Sequence, residues 1–212
     1  MKKVIAINGS PRKKGNTVTL LQKALEGAES AGAETEMIHL YDLNYKGCTS
    51  CFSCKRKDSK YWCKCAMKDD LSPILERVME CDAILLGSPI YLYNITGEMQ
   101  SFIERLIFMN LSYDKSNRSN LEKSINVGCV FAAGMPAERF PRFQPMFEWQ
   151  KDWKMVMNGK WEYIISLDSY QFKDYSKYAA GLMSEPHKRK VREEQFPIDC
   201  QNAYELGRRM TE

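Results

Sequence analysis

No stretch of this chain stays apolar for the roughly 20 residues a membrane-crossing helix needs, so no membrane span is expected. Met1-Lys2-Lys3 followed by Val4-Ile5-Ala6-Ile7 has the charge order of a secretory signal, but the apolar run ends at Asn8, too early for an h-region. A cytoplasmic location is therefore expected, which argues against structural disulfides among the eight cysteines. Histidine is nearly missing: His39 and His187 stand alone, without metal-ligand spacing. Charge of a single sign is missing too, since 31 Lys and Arg face 27 Asp and Glu, a formal +4 spread along the chain. That balance gives no footing for nucleic acid, while its mild positive sign favours phosphorylated cofactors. The densest basic run, His187-Lys188-Arg189-Lys190 with Arg192, is balanced by Glu185, Glu193 and Glu194 and reads as one solvated helix face. Gly-Lys-Ser/Thr is absent, which excludes the P-loop of nucleoside triphosphatases; G-x-G-x-x-G is absent, which excludes the dinucleotide fingerprint. There is no internal repeat and no low-complexity segment.

What is present is an α/β pattern. With 44% apolar and 27% charged residues over 212 positions, the composition suits one globular domain, 1–212, with a large core. Val4 to Ile7 reads as a buried strand, and Val18, Leu21, Ala24, Leu25 and Ala28 recur at helical spacing after Asn16-Thr17. Glu34 to Leu40 reads as a second strand, Asp82 to Gly87 as a third, Ile125 to Ala132 as a fourth and Tyr163 to Leu167 as a fifth. Between them, Asp69 and Asp70 are expected to cap a helix with Pro73 in its first turn, and Thr96-Gly97 to begin another. A further helix is expected after Pro145, ending at Asn158-Gly159, and Asp199 should cap the last one. Strands alternating with helices imply a parallel sheet covered on both faces. Two segments stand outside the pattern: a cysteine-rich insertion at 47–65 and a C-terminal arm at about 170–196. In the arm, Tyr170, Phe172, Tyr175 and Tyr178 crowd a charged segment, as at an oligomer contact or over a neighbour's site.

Ligands of such sheets sit beyond the carboxyl ends of the strands. Asn8-Gly9-Ser10-Pro11-Arg12 through Gly15-Asn16-Thr17 leads from the first strand into a helix N-terminus, whose free N–H groups favour an anion. Ser10, Asn16 and Thr17 add donors, and Arg12 adds a charged fork, a set suited to one terminal phosphate. After the third strand, Pro89 stiffens the exit so that the next N–H groups can face the edge of a flat heterocycle. Tyr91 and Tyr93 offer stacking area, and Asn94 and Thr96 can bond ring carbonyls. A third loop, Ala132 to Pro136, leaves the fourth strand.

Those two loops, together with Gly97-Glu98-Met99, Phe102 and Arg105, resemble the NADPH-dependent FMN reductase group of flavodoxin-like proteins. With Gly47-Cys48-x-x-Cys51-x-x-Cys54 and Cys65-x-x-Lys68-Asp69-Asp70 added, the chain resembles the iron–sulfur flavoprotein branch, densely over roughly residues 1–135. The resemblance implies a flavodoxin-like three-layer α/β/α sandwich with a five-stranded parallel sheet in the order 2-1-3-4-5. It implies FMN, with the phosphate at Ser10, Arg12, Asn16 and Thr17 and the ring and ribityl chain at Pro89, Ile90, Tyr91, Asn94, Thr96, Gly97 and Gly134. It also implies NAD(P)H as donor, a small-molecule or protein electron acceptor, and a homo-oligomer. No catalytic side chain is expected, because transfer through a flavin needs orientation and electrostatics more than an acid or base. The competing reading is a non-enzymatic iron–sulfur flavoprotein carrier fed by ferredoxin-like partners. A metal-stapled binding module would leave both loops unexplained.

Cys48, Cys51 and Cys54 at three-residue spacing can fold around one metal centre, with Cys65 or Cys63 as fourth ligand. By its place before Lys68-Asp69-Asp70, Cys65 matches the family's fourth cysteine, although Lys55 to Trp62 lengthens the gap. A 4Fe–4S cluster, a zinc site and a cap of free thiols all remain open. Tyr61 and Trp62 could shield such a centre, while Cys81, Cys129 and Cys200 read as small core residues.

Overall fold

Val4 to Ile7 are all buried, and alternate side chains enter two separate cores. They belong to β1 (Lys3–Asn8), an inner strand of a sheet whose order is β2-β1-β3-β4-β5. The other strands are β2 (Glu34–His39), β3 (Ala83–Pro89), β4 (Ile125–Ala132) and β5 (Asn158–Ser166), and every pairing is parallel. The computed structural model describes residues 1–212 apart from the side chains of Met146 and Trp149. Val4 and Ala6 face α1 (Asn16–Ser30) and α7 (Phe196–Thr211). Ile5 and Ile7 face α2 (Ser72–Glu80), α3 (Gly97–Asn110), α4 (Phe140–Glu148) and α5 (Trp153–Met157). The expected three-layer sandwich and strand order are both found. Among the described residues no helix is long and apolar enough to cross a membrane.

Several boundaries differ from expectation, each for a local reason. Asp69 and Asp70 do not cap α2, which begins without a side-chain cap. Asp69 is drawn 2.5 Å from the Arg105 guanidinium, and Asp70 accepts the N–H of Asn44 at 2.8 Å. Thr96 does cap α3, accepting the N–H of Met99 at 3.3 Å. α4 begins at Phe140, ahead of Pro145, which lies inside it and removes one helical donor. Asn158 ends α5 in the left-handed region (φ 56°) and also opens β5, so that strand starts five residues earlier than Tyr163. Asp199 lies within the first turn of α7 and accepts from Gln195 Nε2 at 2.8 Å. Cys81 and Cys129 are core residues as expected, and burial pushes both thiols up to about 12.

Two contacts hold the layers. On one face, α1 and α7 meet backbone to backbone: a Cβ on Gly207 would lie 1.7 Å from the carbonyl oxygen of Ala24. On the other, the Arg105 side chain is fully buried between α3 and the segment before α2, with Asp69 as its carboxylate partner. Burial pushes the Asp69 carboxyl up, but its hydrogen bond and charge interaction with Arg105 outweigh this and hold it below the ordinary range. A depressed carboxyl contributes stability above its unfolded pKa, and that contribution is lost as pH falls through the lower folded value.

Gly207→Ala must push α7 off α1, and a lower urea midpoint is expected, equivalent to about 1–3 kcal/mol. Asp69→Asn strands a buried guanidinium and should cost about 3–5 kcal/mol at neutral pH. Urea titration of the two variants against wild type at neutral pH checks both.

Candidate functional site

β1, β3 and β4 end on the same side of the sheet, and the loops that leave them enclose a cavity of about 610 Å³. It lies where the chain order reverses between β1 and β3, and its size is that of a small-molecule site. The loop after β1 is held by its own side chains. Asn8 Oδ1 accepts the N–H of Ser10 at 3.0 Å, and Ser10 Oγ accepts the N–H of Arg12 at 3.2 Å. Asn8 Nδ2 donates to the Ser10 carbonyl and meets His39 Nδ1, which ties the loop to β2. α1 then begins at Asn16, and Gly15 before it supplies no side-chain cap. Ser10, Arg12, Asn16 and Thr17 all line the cavity.

The loop after β3 departs from expectation. Pro89, Ile90 and Tyr91 line the cavity, but the Ile90 N–H donates to the Ala132 carbonyl (2.9 Å) and the Tyr91 N–H to the Asn94 carbonyl (2.8 Å). Those two N–H groups are spent on backbone partners rather than presented to a ligand. Leu92 and Tyr93, both at positive φ, make a tight two-residue turn closed by Tyr91 and Asn94. Tyr93 stacks on Phe143 at 4.2 Å, which leaves Tyr91 as the one aromatic ring this loop gives to the lining. Asn94, Thr96 and Gly97 lie outside the lining. Asn94 Oδ1 accepts the N–H of Ile95, Gly97 is the first residue of α3, and Thr96 Oγ1 donates to the Gly9 carbonyl at 2.8 Å. Thr96 thereby ties the two loops together. Gly134 does line the cavity, and a Cβ there would meet the Gln171 side chain at 1.8 Å.

The largest departure is the arm. Tyr170, Gln171, Phe172, Lys173 and Arg192 form one wall of the cavity of their own chain, where a neighbour's site had been one expectation. Arg192 comes from α6 (Glu185–Glu194). The arm's aromatic residues pack on each other, with Phe172 stacked on Tyr178 at 4.1 Å and Tyr175 buried beneath Tyr170 and Phe172. Arg12 Nη1 donates to the Gln171 carbonyl at 3.0 Å, Asn16 Nδ2 to the Tyr170 carbonyl at 3.1 Å, and Arg192 Nη1 to Asn16 Oδ1 at 2.9 Å. The helix face expected to be solvated has one exception. Lys188 is 3% exposed and donates to the Gly134 carbonyl at 2.9 Å. The cavity lining holds four cations, Arg12, Lys14, Lys173 and Arg192, and no carboxylate. Among the described residues none of the four has a carboxylate partner within ion-pair distance.

The cysteine insertion builds a second place. Cys48, Cys51, Cys54 and Cys65 line one small cavity with Arg105, Phe52 and Phe108, whereas Cys63 lines a different one. Tyr61 and Trp62 line neither. All five thiols are free, and among the described residues no three His, Cys, Asp or Glu side chains converge closely enough to hold a metal ion. The donor set therefore suits a cluster in number and kind, but the thiols do not meet at one centre. Hydrogen bonding by Ser53 pulls the exposed Cys51 thiol down, while burial pushes Cys54 up against the opposing charge of Lys55. Arg105 donates to the Lys46 carbonyl, Asp69 and Ser72, yet its buried Nε has no partner. A buried unpaired donor on a thiol-lined wall is what an anionic sulfur centre would satisfy.

Comparison with known proteins agrees with this geometry. A family described as NADPH-dependent FMN reductase matches residues 2–133. An iron–sulfur flavoprotein of Archaeoglobus fulgidus is 42% identical over 103 residues, covering 49% of this chain and 48% of that protein. An iron–sulfur flavoprotein of Methanocaldococcus jannaschii is 35% identical over 116 residues, 55% of this chain and 58% of its own. The matched stretch thus spans about half the length of these curated relatives. The fold is shared with an NAD(P)H:quinone oxidoreductase from Methanothermobacter marburgensis, with TM-score 0.67 and 15% identity over 99% of this chain and 96% of that one. It is also shared with a Bacillus anthracis azoreductase, with TM-score 0.66 and 13% identity over 99% of this chain and 100% of that one. With the family match running from β1 through the end of β4, this chain belongs to the NADPH-dependent FMN reductase family.

Proposed function

We propose that the chain is an FMN-dependent oxidoreductase that takes electrons from NAD(P)H and passes them to a small-molecule or protein acceptor. One observation carries this reading: a cavity at the strand-order reversal, open to an uncapped helix N-terminus and lined by four cations without a carboxylate. Such a site has the charge and donors for a phosphate and an aromatic wall for a ring. In this reading Ser10, Arg12, Thr17 and the first turn of α1 take the terminal phosphate, with Asn16 beside them. Pro89, Ile90, Tyr91 and Gly134 flank the isoalloxazine, while Asn94, Thr96 and Gly97 shape the loop that carries Tyr91. FMN, when bound, supplies acceptance of a hydride and its release as single electrons or pairs. The chain's own part is to bind, orient and exclude water, since no side chain of the lining is a carboxylate or histidine placed for proton transfer. The loop before α1 lacks the G-x-G-x-x-G glycines that let a pyrophosphate approach the backbone, which favours FMN over FAD.

The name of the relatives, and four thiols around one cavity with the unpaired Arg105 Nε, support a second component, an iron–sulfur cluster held by Cys48, Cys51, Cys54 and Cys65. Cys63 is set aside because it faces another cavity. The insertion has to close for these thiols to converge, and no step of the proposed reaction runs through the cluster. The functional unit we infer is a cytoplasmic homo-oligomer, whose second copy would cover the exposed Tyr91, Leu92 and Tyr93 beside the cavity.

Cofactor released by heat should chromatograph as FMN, and recovery of FAD would overturn the reading. Arg12→Ala should weaken FMN binding by about 1.5–3 kcal/mol, the usual worth of a charge-assisted bond, in a fluorescence titration. NADPH or NADH should bleach the bound flavin in stopped flow; if neither does while a reduced ferredoxin does, the carrier reading replaces this one. Anaerobically reconstituted protein should contain about four irons and four sulfides per chain, and Cys51→Ser should lose both while keeping FMN.

A further inference from the structure

The family match ends at residue 133, yet one wall of the cavity comes from the segment beyond it. Arg192 is the clearest case. Its Nη1 donates to Asn16 Oδ1 at 2.9 Å, at the first residue of α1, and its guanidinium stacks 3.9 Å over the Phe196 ring. Stacking holds the plane of the fork and leaves its remaining edge N–H groups without a carboxylate. The Asn16 amide is meanwhile used at both ends, since its Nδ2 donates to the Tyr170 carbonyl at 3.1 Å. The residue expected to bind phosphate through its side chain instead holds the arm in place. A phosphate monoester carries close to two negative charges at neutral pH, and Arg12 and Arg192 are the two guanidinium forks that the cavity lining offers it.

α6 is fixed so that Arg192 faces α1. One helical turn earlier and on the same face, Lys188 is buried, donates to the Gly134 carbonyl and lies 3.5 Å from Asp168 Oδ1. Asp168 is itself buried, and its other oxygen accepts the N–H of Ala137 at 3.1 Å and lies 3.5 Å from His187 Nε2. The buried ammonium thus pins α6 to the loop after β4.

We propose that Arg192 is the second arginine of a phosphate clamp. The terminal phosphate of the flavin lies between Arg12 and Arg192 at the N-terminus of α1, and Lys188 acts as the positioning residue of the clamp. This rests on the cavity being the FMN site. A free phosphomonoester on a nicotinamide dinucleotide has the same chemistry, but contact of Arg192 with the first residue of α1 commits it to the flavin.

The test is titration of the full-length, flavin-free chain with FMN and with riboflavin, which lacks the phosphate. Arg192→Gln should raise the FMN dissociation constant about 10- to 100-fold, the range for one charge-assisted bond, and leave that of riboflavin within about twofold. Arg192→Lys, which keeps charge without the fork, should recover part of the loss. Lys188→Met should likewise raise the FMN dissociation constant relative to that of riboflavin, which a general loss of folding would not. Equal weakening of both ligands, or of neither, overturns the clamp. So does a variant that loses only its preference for NADPH over NADH, which would move the phosphate to the dinucleotide. If Arg12→Ala also leaves the ratio unchanged, the FMN site itself is wrong; if only the Arg192 variants do, the clamp alone falls.

Discussion

Backbone N–H groups at the start of an α-helix need an acceptor, and α1 offers them none from its own side chains. That deficit organises one end of the molecule. The loop from β1 delivers Ser10 and Arg12 beside it, already shaped by Asn8, and Thr96 binds the loop from β3 to the same place through the Gly9 carbonyl. Buried strands position these loops to within one register, because Gly9 donates to Gly87 directly above the β1–β3 pairing. An anion at α1 would complete an arrangement in which Asn8, Ser10, Arg12 and Asn16 already have protein partners.

The arm answers the same electrostatic demand from the other side. Its carbonyls at Tyr170 and Gln171 accept from Asn16 and Arg12, and its cations Lys173 and Arg192 add to a rim with no opposing carboxylate. Concentrated like charge is unfavourable until an anion arrives. A buried lysine in α6, facing Asp168 and the Gly134 carbonyl, limits how far that wall can move.

Around the cysteines the logic is different. Arg105 is too deeply buried to be balanced by water, and Asp69 compensates its charge while its Nε stays unpaired on the thiol-lined wall. The pair joins α3 to the segment leading into α2, which makes the cap part of the core packing rather than an appendage. Lys55, bonded to the Leu111 carbonyl at 2.6 Å and 4.7 Å above the Phe108 ring, anchors the cap at its other end.

Apolar runs and helical periodicity made the strands and helices of the parallel sheet legible in the sequence, because burial on two faces demands continuous apolar strands, while the strand order came from the family resemblance. Spacing likewise singled out Cys48, Cys51 and Cys54, and the family resemblance favoured Cys65 over Cys63 as the fourth, the one that lines the same cavity. Tertiary structure alone decided which polar side chains were free to meet a ligand. Asn94, Thr96 and Asn16 carry the right donors, but loop closure and the arm use them internally, and no local pattern reports that competition. Asp69 looked like a helix cap until Arg105, 36 residues away, claimed its carboxylate. The arm's basic run looked solvated because charge at helical spacing does not reveal a partner such as Asp168, 20 residues away from Lys188 and fixed only by packing. Local physics determined the elements along the chain, and long-range hydrogen bonding determined the assignment of each polar group within them.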